Sequence, residues 1–188
     1  MKNLLGAVVL SVLLLTGSVC FAAGDTTIYI KGIVKYVMPS DPSIDNWKLE
    51  SDDGFGWGGA LGVTLNQFRL EGEISTQKDD IKGDDLGGDI RLTTYMVNGY
   101  FDIPVSGGFG LYLTGGLGYG SVAISLDDVD GNDGGFAWKG GAGVFYAFND
   151  NMAMDLGWEY ISMDDADVDV EVSDLNTNNI VAAFRYAF

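Results

Sequence analysis

The 188-residue chain contains no histidine. That absence removes His-based catalytic triads, His-dependent lipid A deacylases or acyltransferases, and most catalytic zinc sites. Cysteine occurs once, at Cys20, so no disulfide within the chain is expected to hold a fold together. Basic residues are few: ten Lys and Arg stand against 27 Asp and Glu, for a net charge of −17. A phosphate-binding surface needs clustered Lys and Arg, so nucleic acid is not an expected partner, and bulk charge would attract a cationic one. Proline is limited to three residues, whereas glycine reaches 28 and Trp, Tyr and Phe number four, nine and ten. Glycine and aromatics at these levels, within a 47% hydrophobic composition, describe one folded, β-rich domain with close backbone packing.

The N-terminus reads as a secretory signal over 1–22. Lys2 gives the positive start, Leu4 to Leu15 the apolar run, and Cys20-Phe21-Ala22 the small residues before cleavage at Ala23. The run is shorter than the ~20 residues of a spanning helix, and Val19 fits poorly as the residue before a lipidated cysteine. The expected mature domain is 23–188.

Beyond residue 23 no helical stripe is sustained, and period-two alternation recurs eight times. One parity carries residues such as Ile28, Ile30, Val34 and Tyr36, then Phe55, Trp57 and Leu61, then Phe109, Leu111, Leu113, Leu117 and Tyr119, and none of its positions is charged. The other parity holds Lys31, Lys35, Arg69, Glu71, Glu73, Asp102, Lys139, Asp155, Glu159 and Arg185, five bases and five acids. Short links at Asn66-Gln67, Pro104 to Gly108 and Asn149 to Asn151 alternate with longer segments near 38–54, 76–89, 125–135 and 163–177. Short turns at one end and long connections at the other predict an eight-stranded antiparallel up-and-down transmembrane β-barrel with its uncharged parity toward lipid. A charge on that parity would cost ~2–4 kcal/mol at the bilayer midplane. Trp57, Trp138, Trp158, Tyr36, Tyr146, Tyr160 and Tyr186 are placed to form interfacial girdles. An even strand number starting from the periplasm puts both termini there and the long segments outside. Those segments, with their flanks, hold twenty of the 27 acids and only four bases.

The stretches M-V-N-G-Y-F-D at 96–102, L-Y-L-T-G-G-L-G-Y-G at 111–120, F-A-W-K-G-G-A-G-V-F-Y at 136–146 and D-L-G-W-E-Y at 155–160, with the ending A-F-R-Y-A-F, resemble the small eight-stranded outer-membrane β-barrels of Gram-negative bacteria. That group includes opacity-type adhesins, OmpX and the OmpA membrane domain. The resemblance implies residence in the outer membrane among lipid and lipopolysaccharide, and a role that is not enzymatic. It also implies that Phe184, Tyr186 and Phe188 form the C-terminal signal read by the outer-membrane assembly machinery. No periplasmic peptidoglycan-binding domain is expected after Phe188.

Three chemistries are weighed on the residues. The ten charges of the second parity read either as a salt-bridged plug or as the lining of a narrow ion-conducting lumen. The small residues Gly56, Gly58, Ala60, Gly62, Gly116, Gly118, Gly141 and Gly143 favour the conducting reading. In D-D-V-D-G-N-D-G-G at 127–135, Asp128, Asp130 and Asn132 have the 1, 3, 5 spacing of a calcium loop. Asp133 and Lys139, however, occupy the positions where an EF-hand needs Gly and Glu. A loose Ca²⁺ or Mg²⁺ site stands beside a solvated acidic turn as the alternatives, and no other cofactor is expected. Asp165, Asp167, Asp169 and Glu171, alternating with Ala166, Val168, Val170 and Val172, read as strands continuing above the membrane with an acidic face. Glu71 with Glu73 lacks a cleft for acid–base work, and the Gly-rich stretches lack the helix start of a phosphate loop. The expected function is therefore that of a monomeric surface or structural barrel, adhesin-like, acting through acidic external segments on a ligand the residues do not name. A narrow pore and a soluble periplasmic barrel holding an apolar ligand are the alternatives.

Overall fold

The computed structural model describes residues 26–39, 54–83, 86–126, 129–163 and 175–188. Among these, eight strands run in chain order: β1 (Thr26–Pro39), β2 (Gly54–Leu65), β3 (Phe68–Gly83), β4 (Leu86–Ser106), β5 (Phe109–Leu126), β6 (Val129–Ala147), β7 (Met152–Met163) and β8 (Leu175–Ala187). Each pairs antiparallel with its sequence neighbours, and β1 also pairs with β8, so the sheet closes into a barrel. The expected signal segment 1–22 lies outside the described residues.

Register fixes the size of the barrel. From Lys31 the pairing leads through Ala60, Glu73, Met96, Gly118 and Ala137 to Met163 in one direction, and through Arg185 to Ala153 in the other, an offset of ten residues on β7. Eight strands with that shear tilt by roughly 40° and enclose a backbone radius of about 8 Å, which side chains fill.

The uncharged parity faces outward. Phe55, Trp57, Leu61, Phe68, Leu113 and Leu117 are each more than half exposed, and the weaker wall positions Gly59 and Gly72 are exposed too. A soluble barrel with an apolar interior would need the reverse, so this alternative is excluded by which face carries the aliphatics. Aromatics gather at two levels: Phe68 with Phe101, Phe109 with Tyr146 and Tyr186 with Phe188 near the short turns, and Trp138 with Tyr160 toward the other end. On β5 the band from Phe109 to Tyr119 spans roughly 25 Å along the barrel axis, the height of an outer-membrane barrel's apolar belt.

The short turns follow local chemistry. Asn66 takes a φ of 56°, a left-handed conformation that asparagine tolerates better than most side chains. Ser106 still pairs with Phe109, past an irregularity after Pro104, so the expected Pro104 to Gly108 link tightens to Gly107-Gly108, both at positive φ. In the third turn Asn149 Oδ1 accepts the backbone N–H groups of Asn151 and Met152, each at 2.9 Å.

Two of the long segments differ from expectation. Both 76–89 and 125–135 are mainly strand: the β3–β4 ladder continues to Gly83 opposite Leu86, and the β5–β6 ladder to Leu126 opposite Val129. Above the bilayer nothing limits strand length to the hydrocarbon thickness, and continued pairing satisfies backbone groups that a loop would leave to water. Within the first and fourth segments, 40–53 and 164–174 lie outside the described residues, including the alternation at Asp165, Asp167, Asp169 and Glu171.

Candidate functional site: a charged lumen beneath a protruding sheet

Strand alternation sends the ten charged residues of the second parity inward, where Lys31, Lys35, Arg69, Glu71, Glu73, Asp102, Lys139, Asp155 and Glu159 are buried and Arg185 is half-buried. They form two layers. In the layer nearer the short turns Arg69 lies at the centre. It donates to Asp102 through Nε at 2.7 Å and Nη2 at 2.8 Å, and through Nη1 to Glu71 at 3.3 Å and Asp155 at 3.4 Å. Arg185 donates to Asp155 Oδ1 at 2.8 Å, and Lys31 is paired with Glu71. In the second layer Glu73 receives Lys35 at 2.7 Å and Lys139 at 2.5 Å, while Glu159 lies 3.5 Å from Lys35 and 3.4 Å from Lys139. Each layer balances its own charge, three bases with three acids and two with two. Charges out of water persist only when paired and hydrogen-bonded, and these are both.

The charges act with a neutral set that sequence reading left out. Tyr29 donates its hydroxyl to Glu71 at 2.5 Å, Asn98 donates its amide to Glu73 at 2.8 Å, and Lys31 donates to the Tyr100 hydroxyl at 2.9 Å. The Arg69 guanidinium lies 4.3 Å from the Tyr100 ring centroid and 5.7 Å from that of Tyr112, within cation–π range. All four residues share the parity of the charges, and that was the signal available.

Gly62, Gly143 and Gly116 are seats for these side chains and not open space. A Cβ on Gly62 would stand 2.5 Å from Tyr29 Cζ, and one on Gly143 2.6 Å from Tyr112 Cζ. A Cβ on Gly116 would collide with Asn98 Oδ1. Toward the long-segment end the charges give way to neutral residues: Met96, Ala137 and Met163 form a buried cluster against which Leu92 packs, and Ser75, Gln77 and Thr94 are buried there as well.

At the far end the described parts of the strands reach different heights. Among the described residues β1, β2, β7 and β8 end within a few positions of the upper aromatics, at Pro39, Gly54, Met163 and Leu175. The other four continue as one sheet, with Asp89 opposite Ser125 tying the β3–β4 hairpin to the β5–β6 hairpin. From Tyr119 to Leu126 this adds roughly 20 Å beyond the aromatic belt. Of the calcium-like set, Asp130, Asn132 and Asp133 lie in β6, opposite Ser125, Ala123 and Val122, and Asp128 lies outside the described residues. Asp130 and Asn132 share one parity of the strand and Asp133 has the other. Phe184, Tyr186 and Phe188 are on the wall face, 48%, 39% and 72% exposed. The last strand is tied at its end by the Phe188 N–H donating to Ile28 O, and by Asn151, whose carbonyl accepts from Ala187 N and whose amide donates to Ala187 O.

Known proteins share this architecture. Over 83 residues the chain is 35% identical to the outer membrane protein PagN of Salmonella typhimurium, covering 39% of this chain and 35% of that protein's length. The structure of Neisserial surface protein A superposes with a TM-score of 0.72 at 18% identity, covering 88% of this chain and all of that one. Ail, the attachment invasion locus protein of Yersinia pestis, solved with the heparin analogue sucrose octasulfate, gives 0.54 at 17% identity over 87% of this chain and 97% of its own. The model of the outer membrane protein beta-barrel domain matches residues 7–188. With the closed eight-stranded barrel, its apolar wall and its charged interior, the chain belongs to the outer-membrane β-barrel domain family.

Proposed function

We propose that this protein is a sealed surface barrel, with both termini in the periplasm and the β3–β6 sheet outside the cell, and that it acts by surface attachment through that sheet and the acidic segments around it. The observation that carries the reading is the sheet itself: β3 to β6 continue as one ladder past the aromatic belt, to Gly83 opposite Leu86 and Leu126 opposite Val129. Strand pairing beyond the bilayer contributes nothing to crossing it, so the extension belongs to what happens outside. The two charge layers beneath support attachment over conduction, because side chains fill a cross-section only about 8 Å in backbone radius. The attachment named for Ail is a functional parallel. Its polyanionic ligand is a poor guide here, since the long segments of this chain are themselves acidic. In the membrane, divalent cations held weakly by Asp79, Asp80, Asp84, Asp85, Asp127, Asp128, Asp130 and Asp133 would bridge these acids to neighbouring lipopolysaccharide. Phe184, Tyr186 and Phe188 would be the aromatics engaged by the assembly machinery.

The test is display in a non-adherent Gram-negative host, comparing the full chain with a version whose two hairpins are shortened to the level of the upper aromatics. Attachment to epithelial cells gained with the full chain and lost with the shortened one, at equal outer-membrane levels, is the expected result. Equal attachment by both would overturn the reading.

A further inference from the structure

At the upper edge of the second charge layer, three buried side chains carry polar atoms without a hydrogen bond. They are Gln77 through Nε2, Glu159 through Oε2 and Asn179 through both Oδ1 and Nδ2, in residues 3%, 3% and 0% exposed. The three are neighbours. Glu159 and Asn179 face each other across the β7–β8 ladder on the inward parity, which brings their Cβ atoms to about 5 Å. Glu159 Oε2 lies 3.5 Å from Lys35 Nζ. Gln77 reaches Lys35 from the β2 side, over Gly56: a Cβ added there would stand 3.0 Å from Gln77 Cγ and 3.4 Å from Lys35 Cβ. Val37, opposite Asn179, and Ile161, the inward residue after Glu159, add buried apolar side chains beside the group.

A buried polar atom left unpaired costs free energy, and folded interiors contain few of them. The chemistry of the missing partner follows from the surroundings. Lys35 and Lys139 oppose a cation here, Glu73 and Glu159 oppose an anion, and the two bases and two acids already balance. The unpaired atoms include donors, on Gln77 and Asn179, and acceptors, on Glu159 and Asn179. A small neutral molecule that both donates and accepts fits this set. We propose that ordered water is bound here, roughly one or two molecules making about three hydrogen bonds each. It acts as a structural ligand that joins β3, β7 and β8 beside the seam where β8 closes on β1. The inference goes beyond surface attachment and does not rest on it.

The experiment uses the full mature barrel, isotope-labelled and refolded in detergent micelles, and reads water NOE and ROE cross-peaks at the side-chain amides of Gln77 and Asn179. Cross-peaks at both amides are expected, with NOE and ROE of opposite sign, the signature of water that tumbles with the protein. Asn179→Leu keeps the bulk of the side chain and removes its polar atoms, so it should weaken the Gln77 cross-peak at least fivefold. Thr114→Val, at an unpaired hydroxyl elsewhere in the lumen, should leave that cross-peak unchanged. A Gln77 cross-peak kept at full strength in Asn179→Leu would trace it to proton exchange at the Lys35 ammonium and overturn the proposal. No water cross-peak at either amide would overturn it too, and would mean that the side chains turn to pair with one another. If Asn179→Leu does not give the heat-modifiable form, Gln77→Leu read at the Asn179 amide makes the same test.

Discussion

Arg69 shows at the scale of one residue how this interior is held. It meets three carboxylates and two aromatic rings, and replacing it leaves Asp102, Glu71 and Asp155 buried with too little positive charge. Arg69→Ala is predicted to lower the stability of the refolded barrel in urea by about 3–5 kcal/mol. Arg69→Lys should restore part of this, because a lysine keeps the charge and loses the two-pronged contact to Asp102. A loss under 1 kcal/mol for the alanine variant would show the layer to be hydrated. Phe188→Ala removes no lumen contact, so its effect should fall on assembly: lower outer-membrane levels of the heat-modifiable form, with near-normal stability once refolded in detergent. Normal levels in cells would show that the terminal aromatic is not a recognition element. Arg69's inward place was legible in the sequence through parity, and Phe188's place on the wall face through its alternation with Phe184 and Tyr186. Tyr29, Tyr100, Tyr112 and Asn98 were harder to find, because a neutral inward residue on a strand does not announce the carboxylate or guanidinium it meets across the lumen.

At the scale of the element, alternation predicted all eight strands, since each wall strand must present an uncharged face to hydrocarbon and that demand is written at every second residue. It did not predict where β3 to β6 end. Gly83, Gly88, Gly131 and the acids around them are ordinary turn residues, and their place in a ladder follows from pairing with neighbouring strands over long sequence separations. Asp130, Asn132 and Asp133 lie in an extended ladder opposite Ser125, Ala123 and Val122, a backbone that does not wrap around an ion as a calcium loop does. Isothermal titration of the refolded barrel with Ca²⁺ should therefore give weak, multi-site binding, little changed by Asp130→Ala alone. Tight one-to-one binding abolished by that substitution would contradict this and establish a discrete site.

For the whole molecule, the distribution of charge is the organising feature: a neutral wall, a lumen balanced layer by layer, and an acidic excess concentrated in the long segments. The inward glycines suggested room for conduction when read as a list. In the fold Gly62, Gly143 and Gly116 lie beneath Tyr29, Tyr112 and Asn98, which only the cross-strand register could reveal. Planar-bilayer recordings of the refolded protein should be silent, and stable openings in the unmodified barrel would contradict the sealed lumen. The orientation that places the β3–β6 sheet outside is tested most directly by labelling single cysteines on intact cells with a membrane-impermeant maleimide, using Lys82→Cys on β3 and Asp150→Cys in the short turn before β7. Labelling of Lys82→Cys on intact cells, with Asp150→Cys labelled only after the outer membrane is opened, is the predicted result; the reverse pattern would contradict the account.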